Sequence, residues 1–317
     1  MKGRGLKRPS HPEREETSPY QAMQITPDSG MRSESVNELL QAVFHYRFGP
    51  SLSLESDSGA GFTFEGEQHY EALGTYVNAF VFCLLKEIAG LVEVWLPANN
   101  PQYCVLQSQD WTSNSNKAMV LVPGKGKVGL GQWSRRICVN EGLNAGSMLG
   151  YVTRAQAEGY SVLVMNCNAR TSTLATNESN AEATWRACMP LCKAGSVYLV
   201  AHSWGGKCTL QLLKSSFVDV SKRVVGIALT DSVHKTVSDL PRPAAEFLKS
   251  KAVNWVKSLK PLNQPVADKA RAKDGCENRS AGTMVHEQTS NSAIDCVFNY
   301  LGTCVRRAPA RPGLRPR

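Results

Sequence analysis

The sequence predicts an α/β fold of three layers, with helices covering both faces of a mostly parallel sheet. Three observations carry that reading. Between Lys117 and Leu301 four short runs are apolar along their whole length, as strands buried on both faces are. Segments of helical period alternate with them, the pattern of strand–helix–strand crossovers. A serine flanked by small residues stands between one of these runs and the helix that follows it, where an α/β sheet exposes reactive groups.

The elements follow in chain order. Residues 1–35 are rich in Pro, Ser, Glu and Arg without an apolar period, and are expected to form a disordered tail. Order is expected from about Val36. Tyr70 to Glu87 places Leu73, Val77, Phe80, Val81, Leu84 and Leu85 at helical spacing, and Leu91–Leu96 reads as a short strand. Ala118–Val122 is the first buried strand, followed by a turn at Pro123-Gly124-Lys125-Gly126. A helix from Gly150 to Glu158 ends at Gly159, a glycine suited to the left-handed C-terminal position. Then come strand Ser161–Met165, helix Ala181–Leu191, strand Ser196–Ala201, helix Lys207–Ser216 and strand Arg223–Thr230. Pro241 to Asn278 has a weaker pattern and is read as a helical excursion over the sheet, and a helix over Asn291–Leu301 closes the fold. The expected organisation is a tail at 1–35, a domain at 36–305 and an Arg/Pro-rich disordered tail at 306–317. Within the domain, 36–116 is an N-terminal extension and 117–305 the core.

The 317 residues carry 36 Lys+Arg against 27 Asp+Glu, a formal charge of +9. Five arginines without an acid fall in residues 306–317, so the rest of the chain is nearly balanced. That distribution argues against a nucleic-acid-binding face on the fold itself. The most apolar uncharged stretch, Ala72–Leu85, is shorter than the roughly 20 residues a spanning helix needs, and the N-terminus lacks a signal-peptide core. A soluble protein is expected. Several of the ten cysteines lie inside apolar runs, such as Phe82-Cys83-Leu84 and Cys296-Val297-Phe298. They read as small buried hydrophobes of a reducing compartment. Cys188 and Cys192 have a metal-like spacing, but no second Cys/His pair follows, so neither a metal nor a cofactor is expected.

The chemistry concentrates in Val200-Ala201-His202-Ser203-Trp204-Gly205-Gly206. A tight strand-to-helix turn needs small residues two before and two after its serine; Ala201 and Gly205 supply them, Ala201 replacing the usual first glycine. A serine nucleophile needs a base, and the base a carboxylate. Asp231 follows the strand ending at Thr230, and His286 lies before the last helix, giving the chain order Ser203, Asp231, His286. His234 is a rival base, while His202, adjacent to Ser203, is expected to point away from it. Oxyanion donors are expected from the amide of Trp204 and from the loop at Gly124 and Lys125, which lacks the ending of a phosphate-binding loop. Trp133-Ser134-Arg135-Arg136 reads as a basic helix start on a solvated face.

Several of these segments together resemble the Arb family, the argonaute-binding-protein domain. They are Gly131-Gln132-Trp133-Ser134-Arg135-Arg136, Ala157-Glu158-Gly159-Tyr160, the segment around Ser203, Leu229-Thr230-Asp231-Ser232-Val233-His234, and Ser280-Ala281-Gly282-Thr283 with His286-Glu287. Tyr70-Glu71-Ala72-Leu73-Gly74 is similar to the animal members. The resemblance spans about residues 36–303 and implies an α/β-hydrolase-like domain with Ser203, Asp231 and His286 in the triad positions. It also implies a cotranscriptional regulator in the nucleus, and also the cytoplasm, acting in RNA silencing, heterochromatin formation or alternative splicing. The implied partners are argonaute and chromatin-associated proteins, with contact to RNA indirect. A serine hydrolase is the alternative. Where relatives tend to carry His-Gly in the oxyanion loop this chain has Pro123-Gly124, which removes one backbone donor and stiffens the turn.

Overall fold

The computed structural model describes residues 67–304, apart from 172–173, 235–238 and 268–273. The expected tails at 1–35 and 306–317, and the start of order near Val36, lie outside the described residues.

An eight-stranded sheet runs through the domain in the order β1-β2-β4-β3-β5-β6-β7-β8. The strands are β1 (Leu91–Leu96), β2 (Tyr103–Ser108), β3 (Lys117–Val122), β4 (Tyr160–Val164), β5 (Ser196–His202), β6 (Val224–Thr230), β7 (Ala252–Val256) and β8 (Glu277–Ser280). From β4 onward across the sheet every pairing is parallel; β1 and β2 form an antiparallel edge, β2 pairing antiparallel with β4. The α/β class with a mostly parallel sheet is therefore present. The sheet also begins before residue 117, since β1 and β2 belong to it.

Ten helices are described: α1 (Glu67–Glu87), α2 (Arg135–Asn140), α3 (Leu143–Gly146), α4 (Leu149–Ala157), α5 (Asn177–Cys188), α6 (Gly205–Ser215), α7 (Phe217–Arg223), α8 (Arg242–Lys251), α9 (Thr289–Ser292) and α10 (Ile294–Thr303). In α1 the stripe Val77, Phe80, Val81, Leu84 and Leu85 is buried, the i, i+3, i+4, i+7 face its spacing predicts. The central strands are apolar because both their faces are covered: all seven residues of β6 and all five of β4 are buried.

Two expectations need correction. The stretch from Pro241 to Asn278 holds a helix, α8, then β7 and the first half of β8, not a helical excursion alone. Arg135 does not lie on a solvated face. It is 9% exposed and packs against Gly74 of α1, where an added Cβ would stand 2.5 Å from its Nη1. Its neighbour Arg136 does face outward and pairs with Glu287. No disulfide links the cysteines. Cys138, Cys167, Cys188, Cys192 and Cys208 are buried, whereas Cys83 and Cys296 are only half-buried.

Chain direction across the sheet reverses beside β3. From β3 the chain goes to β4 on one side and then returns to β5 on the other. The crevice above the C-terminal ends of β3 and β5 is where parallel α/β sheets bind ligands. Ser203 follows β5 there.

Candidate active site

Strand β5 ends at His202, and α6 begins at Gly205, so only Ser203 and Trp204 turn the chain. So tight a turn forces Ser203 to φ +53°, in the left-handed region that non-glycine residues seldom occupy. The backbone is held there from both sides. The Ser203 amide donates to the Thr230 carbonyl at 3.0 Å, and its carbonyl accepts from Val233 N at 3.1 Å. Gly205 is required by contact: a Cβ there would stand 2.5 Å from the Val122 carbonyl oxygen and 2.9 Å from that of Pro123. This is the steric demand that places a small residue two positions after the serine.

Asp231 follows β6 in the same way, at φ +40°, with its amide donating to the Trp255 carbonyl at 2.7 Å. It is 3% exposed, and its Oδ1 accepts from Lys257 N at 3.3 Å. His286 comes from the loop before α9. Its Nδ1 lies 2.7 Å from Asp231 Oδ2 and its Nε2 2.9 Å from Ser203 Oγ. Because an ionised carboxylate only accepts, Nδ1 carries the proton and Nε2 accepts from the serine hydroxyl. The structure thus brings Ser203, His286 and Asp231 into one continuous chain of hydrogen bonds.

The turn bearing His286 is itself clamped. Thr289 Oγ1 donates to the His286 carbonyl at 2.8 Å, and Arg136 grips Glu287 through Nε at 3.2 Å and Nη2 at 3.3 Å. Below it, buried Tyr151 donates its hydroxyl to the Ser290 carbonyl at 2.7 Å.

The other sequence candidates fall as follows. Gly124 lies against Ser203, an added Cβ there standing 3.2 Å from Ser203 Cβ, so the loop after β3 does run over the serine. Asn168 holds that loop, donating from Nδ2 to the Gly124 carbonyl at 2.8 Å and accepting from Gly126 N at 3.1 Å. Lys125 follows Gly124, with its ammonium 4.6 Å from the centre of the Trp204 ring. Trp204 is the residue before α6, at the helix end where amides point outward. His234 is not within the triad. It is 1% exposed, with Nδ1 2.5 Å from Ser232 Oγ and Nε2 donating to the Asp274 carbonyl at 2.8 Å. Both its nitrogens are engaged away from Ser203.

His202 was set aside in the sequence because of its adjacency to Ser203. Its Nδ1 does turn to β6, 3.0 Å from the Thr230 carbonyl. Its ring, however, packs on that of His286, with centroids 4.9 Å apart and planes 35° apart. Burial, helped by the neighbouring His286, lowers its pKa to about 4, so it remains a neutral plate beneath the His286 imidazole. Only a strand-end position hinted at this role. Asn168 gave no sequence signal for its hold on this loop, because the loop atoms it bonds are backbone groups 42 and 44 residues away.

The cysteine pair with metal-like spacing, Cys188 and Cys192, is buried, and burial pushes the Cys188 thiol up to about 12. Among the described residues, no cluster of three or more His, Cys, Asp or Glu side chains is placed to hold a metal ion.

Comparison with known proteins places the chain. The Arb2 domain matches at residues 62–188 and 171–262. A FAM172 family protein homolog of Caenorhabditis elegans is 34% identical over 254 residues, spanning 76% of this chain and 80% of its own. A cotranscriptional regulator ARB2A homolog of Xenopus tropicalis is 28% identical over 298 residues, spanning 74% and 70%. Among solved structures, a histone deacetylase from Saccharomyces cerevisiae superposes with a TM-score of 0.50 at 11% identity, over 74% of this chain and 98% of that one. The histone deacetylase Clr3 gives the same TM-score, 0.50, at 14% identity, over 86% of this chain and 44% of that one. At these identities the structures speak to the fold alone. The domain match runs through both the turn at Ser203 and Asp231, and by that match the chain belongs to the Arb2 domain family.

Proposed function

We propose that this chain is a cotranscriptional regulator whose α/β domain keeps a working serine-hydrolase site, with Ser203 as nucleophile, His286 as base and Asp231 as its orienting carboxylate. The observation that carries the chemistry is the pair of hydrogen bonds at His286, 2.9 Å to Ser203 and 2.7 Å to Asp231. The regulatory part is supported by similarity to cotranscriptional regulators of Xenopus tropicalis and Homo sapiens. It acts in the nucleus, through contacts with argonaute and chromatin-associated proteins, and reaches RNA through them.

The steps follow from the geometry. As Ser203 Oγ attacks an ester, thioester or amide carbonyl, its proton passes to His286 Nε2, and buried Asp231 stabilises the imidazolium through Nδ1–H. The carbonyl oxygen, now anionic, is held by the amide of Trp204 at the start of α6 and by the loop at Gly124 and Lys125. His286 returns the proton to the leaving group, and the acyl group stays on Ser203. Water, deprotonated by His286, then releases it as an acid. Pro123 has no amide hydrogen, which leaves the donors after it, at Gly124 and Lys125, to serve this oxygen.

A fluorophosphonate probe tests the chemistry: it should label the folded protein at Ser203, and Ser203→Ala should abolish labelling. Absence of labelling where a control serine hydrolase reacts overturns the enzymatic part. Co-purification with argonaute from nuclear extract tests the regulatory part and should survive Ser203→Ala. Loss of co-purification on that substitution would instead tie the partner to the active site.

A further inference from the structure

The sequence around Ser203 contains a charge arrangement that the fold alone does not require. Lys207 sits in the first turn of α6, where the positive end of the helix disfavours a cation. Its ammonium lies 3.5 Å from the centre of the Trp204 ring, and that of Lys125 lies 4.6 Å from the same centre. The two positive charges are therefore no more than about 8 Å apart, within one screening length at physiological salt. No carboxylate among the described residues pairs with either of them. Glu178 lies at the same ring and accepts from the Trp204 indole, whose Nε1 donates to Oε1 at 2.7 Å. That bond fixes the ring on which both lysines converge.

Each of these features costs stability when the site is empty: like charges side by side, and a cation at a helix N-terminus. An anion drawn to the two ammonium groups relieves both. The position is adjacent to the nucleophile, since Trp204 follows Ser203 and Gly124, which precedes Lys125, lies against it. Cation–π contact with the indole holds each ammonium while leaving its N–H donors available to an incoming oxyanion.

We infer that the substrate is an ester or thioester bearing an anionic group, a carboxylate or phosphate, close to the scissile carbonyl, and that Lys125 and Lys207 bind that group. This rests on the serine-hydrolase reading of the site and names its substrate class. Hydrolysis breaks the bond between the carbonyl carbon and the leaving oxygen or sulfur. Water supplies the hydroxyl to the acid and the proton to the leaving group.

The test compares anionic and neutral esters with the same reacting group. Mono-4-nitrophenyl glutarate against 4-nitrophenyl pentanoate puts the carboxylate on the acyl side. 4-Acetoxybenzoate against its methyl ester puts it on the leaving side. In one arm kcat/KM for the anionic member should exceed that for the neutral one by about tenfold at low salt, two exposed charge pairs each contributing up to about fivefold. The ratio should shrink with added salt, approach one in Lys125→Gln/Lys207→Gln, and persist in Lys207→Arg. Turnover of the neutral esters without preference in either arm overturns the inference and leaves the hydrolase reading standing. If no ester is turned over, the hydrolase reading fails first. Calorimetric titration of Ser203→Ala with monomethyl glutarate and with phenyl phosphate then decides the anion site. Binding lost in the Lys125→Gln/Lys207→Gln background supports it, and no binding of either compound overturns it.

Discussion

His202 offers the most direct physical test of how the site is built. It is 2% exposed, its ring lies on His286 at 4.9 Å, and the edge of Trp133 approaches it at 6.3 Å. Burial is the main reason its pKa falls to about 4, with His286 adding to the effect and Asp231 opposing it. The ordinary value, which the unfolded chain shows, is 6.5. The folded pKa is thus the lower one, and as pH falls below 6.5 the unfolded chain takes a proton that the native state refuses. Stability from this group is complete above that value and is lost progressively down to about pH 4, below which both states are protonated. At 1.36 kcal/mol per pH unit the loss amounts to about 3 kcal/mol. His202→Asn keeps an N–H donor for the Thr230 carbonyl while removing the titrating ring. Urea unfolding of both proteins between pH 7 and pH 4 should show the wild type losing about 3 kcal/mol more than the variant. Parallel pH profiles would mean that His202 takes up its proton without leaving the fold, and the neutral plate beneath His286 would be wrong.

Four further outcomes are expected. Asp231→Asn should slow fluorophosphonate labelling of Ser203 by about four orders of magnitude, because an amide no longer holds the imidazole in the productive tautomer; labelling at the wild-type rate would remove Asp231 from the mechanism. In Gly205→Ala the new Cβ meets the carbonyl oxygens of Val122 and Pro123 at 2.5 and 2.9 Å. Since both are backbone atoms, chemical denaturation should show a cost of about 1–3 kcal/mol, accompanied by slower labelling. Arg223→Met should cost about 3 kcal/mol by the same measurement, since Arg223 donates to the carbonyls of Met189, Cys192 and Ala194 at 2.5, 2.6 and 3.2 Å. Cys138 and Cys208 should resist maleimide in the folded protein at neutral pH. Burial pushes the Cys138 thiol up, and a hydrogen bond with Cys167 followed by burial does the same for Cys208.

What the sequence revealed of the fold depended on whether a strand's burial left an apolar trace. Strands β3 to β6 did, being covered on both faces. Strand β8 did not: its four residues are Glu277, Asn278, Arg279 and Ser280. On one side Arg279 pairs with Glu277 at 2.8 Å near the sheet edge. On the other, Asn278 Oδ1 accepts from Asn254 of β7 at 3.1 Å, and Ser280 Oγ donates to the Lys260 carbonyl at 2.7 Å. A strand whose inward groups are satisfied polar atoms reads as a loop. Strand β7 suffered from the same exchange, for buried Asn254 breaks its apolar run and uses its Oδ1 to accept from Ser232 N at 3.2 Å. That bond braces the residue next to Asp231. The polarity that hid β7 is therefore part of what positions the carboxylate.

The site divides along a similar line. Ser203, Asp231 and His286 were legible because strand ends and chain order are one-dimensional properties. The stacking of His202 on His286, the hold of Asn168 on the loop at Gly124 and the approach of Lys125 to Trp204 are lateral contacts between segments distant in sequence, which no local pattern announces. Nor does the sequence display the strain. Among the described residues only three non-glycines have positive φ, and two of them are Ser203 at +53° and Asp231 at +40°. Left-handed backbone at such residues costs roughly 1–3 kcal/mol each and persists only where surrounding bonds over-determine it. Here those bonds run between the strand ends themselves. Thr230 accepts the Ser203 amide, Trp255 accepts the Asp231 amide, and Val233 donates back to the Ser203 carbonyl. A fold that needed these turns only as connections could relax them by substituting glycine. Keeping a hydroxyl and a carboxylate at the two strained positions, each within hydrogen-bonding distance of one imidazole, is what proton transfer demands and what packing alone does not.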